Sequence, residues 1–169
     1  VTTKKSAIVT NADASPIVKN NARLDGGRVR QKSGTIALLS TDLDAADIIV
    51  LARVPGNATI NSILLFNDDL DGDVSPLLTI DVGLYKVDGT VVDINFYASA
   101  ITSFNAAVVG GTQVAFEARN INTLGQAVWQ DAASTTDTGI EYDVALTVLA
   151  AARGIVAGDI SFIVEYTVD

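Results

Sequence analysis

The densest group of residues able to do chemistry is Asn67-Asp68-Asp69-Leu70-Asp71-Gly72-Asp73. Asn67, Asp69 and Asp71 set oxygen ligands at alternate positions ahead of Gly72. That is the first half of an EF-hand calcium loop, and hard cations take such carboxylate and carbonyl oxygens. The twelfth position, where that loop needs a bidentate Glu, is Leu78, and the flanks read as strands where the motif needs helices. An acidic turn between strands is therefore the first reading of this segment, and calcium at Asn67, Asp69 and Asp71 the second. Carboxylates for a hydrolase pair are abundant, so no single pair stands out. Glu117 and Arg119 read as a local ion pair, and Glu165 as a solvated residue.

Other chemistry is narrowed by what the chain lacks. Cys, His and Met are all absent. Disulfides, thiolates, His-centred metal sites and the commonest general base are therefore unavailable. There is no Gly-rich phosphate loop, nucleophile elbow or zinc spacing. No cofactor, no small-molecule substrate and no enzymatic activity are expected, with a carboxylate hydrolase as the most distant reading. Asn57-Ala58-Thr59 matches a glycosylation sequon, best read as chance because no secretory leader is visible. Trp129 invites comparison with the exposed Trp of carbohydrate-binding modules, but a packing anchor is the more ordinary role.

Charge supplies the next signal. Residues 1–34 carry Lys4, Lys5, Lys19, Arg23, Arg28, Arg30 and Lys32 against Asp13 and Asp25, a net of +5. The rest holds four cations against eighteen acids, a net of −14. A basic arm on an acidic body suggests docking of those seven cations on the same subunit or on a neighbour. A solvated chain end is the alternative. Nucleic acid is a poor partner, because the arm has no aromatic residue to stack on bases and the body repels phosphate. No apolar run nears the roughly 18 residues that span a bilayer, so no membrane partner is expected.

The elements that must position these residues are mostly strands. Residues 1–23, rich in Asn, Ser, Thr and Ala, read as an extended arm, and residues 24–169 as one domain. Strand patterns lie at 35–39, 48–54, 59–66, 77–86, 140–149 and 160–168. In the fourth, Ile80, Val82 and Leu84 share a face. In the last, Ile160, Phe162, Val164, Tyr166 and Val168 do. Asp88-Gly89 predicts a hairpin turn back to Val91-Val92. Residues 94–101 read as a helical turn or irregular crossing. Asn120–Ala132 reads as a helix capped by Asn120 with Ile121, Leu124, Val128 and Ala132 on one face, although Gly125 interrupts it. The whole predicts an all-β fold with minor α: an antiparallel, jelly-roll-like β-sandwich with one short helix and an extended N-terminal arm. An Ig-like sandwich without its disulfide is the runner-up.

Several stretches together resemble a known group. Leu24-Asp25-Gly26-Gly27-Arg28-Val29-Arg30 leads into Ser33-Gly34-Thr35-Ile36. Asn67-Asp68-Asp69-Leu70, Asp81-Val82-Gly83-Leu84-Tyr85 with Asp88-Gly89, and Ile160-Ser161-Phe162-Ile163-Val164-Glu165-Tyr166 follow. The series resembles small β-rich, head-associated proteins of tailed bacteriophages. The resemblance implies a capsid decoration (cement) protein that is made in the host cytoplasm and sits on the capsid exterior. It further implies bridging of major capsid protein subunits and association as a homotrimer. A virion appendage or adhesin module binding host glycans is the alternative.

Overall fold

The computed structural model describes residues 4–22 and 25–168. Arg23, one of the seven cations, lies outside them. Eight strands form the framework of the described chain: β1 Arg28–Leu38, β2 Ile48–Pro55, β3 Thr59–Asn67, β4 Thr79–Lys86, β5 Val91–Ile101, β6 Val108–Gln113, β7 Glu141–Ala150 and β8 Gly158–Val168. They form two four-stranded sheets, ordered β1-β8-β3-β6 and β2-β7-β4-β5, with every neighbouring pair antiparallel. Four of those pairs nest by sequence: first with last, second with seventh, third with sixth, and fourth with fifth. One long hairpin, folded over so that successive pairs fall in alternate sheets, gives this jelly-roll-like connectivity. An Ig-like order would divide the strands differently.

Alternation explains the layers. Ile160, Phe162, Val164 and Tyr166 of β8 are buried on one face, with Ile63 and Leu65 of β3 beside them. Ile80, Val82 and Leu84 of β4 and Tyr142, Val144, Leu146 and Val148 of β7 face them from the second sheet. Burying each such side chain contributes roughly 1.5–3 kcal/mol, and with no disulfide in the chain this interlayer holds the sheets together. Glu165 is half-exposed on the opposite face of β8, as the alternation requires.

The structure departs from the sequence reading in five places. Asn120–Ala132 is not one helix. A 3-10 turn at Ile121–Thr123 and a single α-turn, α2 (Val128–Asp131), are separated by Gly125 and by Ala127, whose backbone is extended (φ −77°, ψ 155°). Asn120 does cap, its side chain accepting from the Asn122 N–H, but Ile121 is 80% exposed and forms no helical face. Residues 94–101 belong to β5, whose register against β4 jumps from Ala98 opposite Val82 to Asp93 opposite Leu84. The bulge misled the periodicity. β6, Val-Val-Gly-Gly-Thr-Gln, matches none of the strand patterns in the sequence, because its glycines blur any alternation. The arm contains a helix, α1 (Ala7–Ala12), where an extended chain was expected. Ser6 caps it and it buries nothing. Finally, Arg119 pairs with Asp131 and not with Glu117.

Gly83 marks where the β5 bulge lies against β4. A Cβ at this position would run into the carbonyl oxygen of Asp93 and the backbone of Ile94. Because both obstacles are backbone, no rotamer change relieves the clash. Gly83→Ala should therefore lower unfolding stability by about 2–3 kcal/mol, read as a shifted denaturant midpoint at unchanged slope.

Candidate functional site

Nested pairing gathers loops from distant parts of the sequence at two ends of the sandwich. At one end lie the connections β1–β2 (39–47), β3–β4 (68–78), β5–β6 (102–107) and β7–β8 (151–157). Backbone hydrogen bonds join the last three: Leu70 N–H to Phe104 O (3.1 Å), Gly72 N–H to Gly154 O (2.9 Å) and Val156 N–H to Leu70 O (3.3 Å). This end is rich in aspartate. Asp44, Asp68, Asp69 and Asp159 are exposed, with Asp42, Asp47 and Asp73 half-buried, and Arg153 is the cation of these loops.

Asp71 organises the centre of that end. Its buried carboxylate accepts four backbone N–H groups: Leu77 (2.7 Å) and Leu78 (3.1 Å) across its own loop, and Arg153 (3.1 Å) and Gly154 (2.8 Å) from the β7–β8 connection. Burial alone would raise its pKa, but the four donors outweigh it and hold the carboxyl well below the ordinary carboxylate range. The calcium expectation falls on the same loop. Asn67 turns its amide inward to Asp68 O, Ser103 O and Ala106 O, while Asp69 accepts from the Asp71 N–H. The three residues thus tie loops together, and among the described residues no group of three or more acidic side chains is arranged to hold a metal.

The opposite end is closed by the long β6–β7 connection. α2 docks on the β2–β3 turn through Val128 N–H to Ala58 O (2.8 Å) and Trp129 N–H to Gly56 O (2.9 Å). Trp129 is half-buried against the core, as an anchor would be. Arg119 reaches inward to Asp131, both side chains fully buried, with Nη2 2.9 Å from each carboxylate oxygen. Nη1 donates to Ile60 O (3.3 Å), and the guanidinium carbon lies 5.7 Å from the ring centroids of Phe96 and Tyr97. Burial pushes the Asp131 carboxyl up against the opposing pull of Arg119.

The expected docking cations divide into two groups. Arg28, Arg30 and Lys32 recur every second residue along β1 and share the face of Val168, Tyr166 and Val164, their cross-strand partners on β8. β1 is an edge strand, exposed on both faces from Arg28 to Thr35, so these side chains lie beyond the cover of the second sheet. Lys32 donates to Arg53 O across the sandwich edge, whereas the guanidinium groups of Arg28 and Arg30 make no hydrogen bond or ion pair with any described residue. Lys4, Lys5 and Lys19 are exposed on the arm, where Lys5 pairs with Asp13. The arm also ties to itself through Asn20, which bonds Asn11, Ile8 O and Asp25. A groove of about 340 Å³ beside the β1 cations is lined by Ala22, Gly26, Gly27, Arg28, Arg30 and Val168. A shallow groove of about 370 Å³ between β1 and β2 lies at the aspartate-rich end, lined by Ile36, Leu38, Asp42, Asp47, Ile48 and Val50.

Fold and surface together define an antiparallel β-sandwich with an aspartate-rich loop end and a basic edge strand. No family model and no curated protein matches the chain. Among solved structures, a chain of the cyanophage Pam1 capsid asymmetric unit is similar at a TM-score of 0.60 and 20% identity, over 85% of this chain and 86% of that one. A chain of the capsid of Ralstonia phage GP4 is similar at a TM-score of 0.63 and 24% identity, also over 85% and 86%. Both likenesses establish a shared fold.

Two substitutions test the end loops. Asp71→Asn leaves buried N–H donors unmatched and should cost on the order of 3 kcal/mol. The Asp71 pKa is depressed in the folded state. Its contribution is thus complete above the unfolded carboxylate value near 4 and is lost as pH falls towards the folded one. Acid unfolding of the wild type should accordingly flatten in Asp71→Asn. Arg119→Met leaves Asp131 buried and unpaired, at a cost of about 3–5 kcal/mol at pH 7. The raised Asp131 pKa then favours the protonated folded form, so part of this loss should be recovered at pH 5 in paired thermal melts.

Proposed function

We propose that this chain is a structural protein of a phage virion, one that decorates and stabilises the capsid by bridging capsid subunits. The observation that carries the reading is the likeness of its fold, across 85% of the chain, to chains of two phage capsids. The head-associated resemblance of its sequence points the same way. A core held by strand pairing and apolar burial, with shallow grooves on its surface, suits a non-enzymatic role of this kind.

In this role the sandwich sits on the capsid exterior as a homotrimer, and the major capsid protein is the partner. Lys4, Lys5, Lys19, Arg23, Arg28, Arg30 and Lys32 form the binding surface. Each contact between exposed charges is weak, and many repeated over a shell become strong by avidity. Residues 1–23 act as the staple, and residues 24–169 as the body.

Antibody raised against the folded chain should label the heads of the phage that encodes it and leave tails bare. Added to heads stripped of it, the protein should co-sediment saturably and raise the temperature at which heads rupture. Removing residues 1–23 should weaken that binding. Labelling confined to tails, or an absence of co-sedimentation, would overturn the reading.

A further inference from the structure

The two charged regions also match in a second property. The aspartate-rich end exposes apolar side chains among its carboxylates: Val74 is 100% exposed, with Leu77 (49%) and Val156 (44%) in the same loop cluster. The basic flank exposes Ile17 (72%), Val18 (50%) and Val29 (63%) next in sequence to Lys19, Arg28 and Arg30. Apolar residues set within a charged surround are the composition of a protein interface, and they occur here twice with opposite sign.

We propose that these regions meet between copies of this chain: the aspartate-rich loop end of one copy docks on the basic β1–arm flank of the next. Symmetry separates this from the simpler dimer. An isologous contact at either region places like charges opposite each other, which repel. A heterologous contact pairs carboxylates with guanidinium groups, supplies Arg28 and Arg30 with the partners they lack among the described residues, and covers both apolar sets. It also covers the open edge of β1, whose backbone is paired on the β8 side alone. A heterologous contact that closes gives a ring, so the proposal names the surfaces of the trimer on which the capsid reading draws.

The test uses the free protein, so it can fail without the capsid reading failing. Asp44 and Asp159 are exposed, and their side chains make no hydrogen bond within the described structure, so their reversal spares the turns. Light scattering across a concentration series should show self-association of the wild type that weakens as salt is raised. Arg28→Glu with Arg30→Glu should weaken it by about tenfold or more, and Asp44→Lys with Asp159→Lys should do the same. All four changes in one chain should restore association, an outcome that a merely misfolded variant cannot produce. A wild type that stays monomeric at millimolar concentration would overturn the proposal. So would reversals that leave the mass unchanged, or a folded quadruple variant that stays dissociated. If the arginine reversal abolished capsid binding without altering the mass, the cations would face the capsid, and the proposal would be wrong while the capsid reading stood.

Discussion

Everything in this molecule depends on the apolar layer between the two sheets, because the chain has no covalent cross-link to share the work. β8 is the centre of that layer. It pairs with β1 on one side and β3 on the other, and its Ile160, Phe162, Val164 and Tyr166 lie against the second sheet. The last strand thus completes a sheet begun by the first. Such long-range pairing carries a large loop-closure entropy, which only the gathered apolar faces can offset.

Around this layer two buried polar latches stand at opposite ends. Asp71 is satisfied almost wholly by backbone N–H groups, so it fixes the course of two loops with one carboxylate. Arg119 and Asp131 neutralise each other and hold the long β6–β7 connection against the core. The first arrangement lowers a carboxyl pKa and the second raises one, because donors outweigh desolvation at Asp71 and desolvation outweighs the ion pair at Asp131. Both act on loops, the parts of a sandwich least held by strand ladders.

The latches rigidify what the molecule presents to others. The aspartates at the loop end largely serve turns, accepting from backbone N–H groups as Asp42, Asp47 and Asp73 do. The field they create together is a consequence of where the fold brings those turns. The cations of β1 have a different origin: charges at an exposed edge strand deter indiscriminate pairing with other strands. A surface built from turn chemistry at one end and edge protection at the other is well suited to selective contacts.

The sequence alone determined the layers. Period-two alternation in β4 and β8, the Asp-Gly hairpin before β5 and the apolar run of β2 are local signals, legible because each strand faces one core. It failed where local rules are overridden: at the bulged β5, at glycine-containing β6, and across Asn120–Ala132, where a helical period was broken by Gly125 and by docking on the β2–β3 turn. The imbalance of charge along the chain was equally legible, yet its geometry was not. Asp44 and Asp69 come from two separate connections and Asp159 from the start of β8, and they share one end only because the strands pair in nested order. Composition can count charges, but a field depends on distances, and those were decided by strand pairing between residues far apart in the chain.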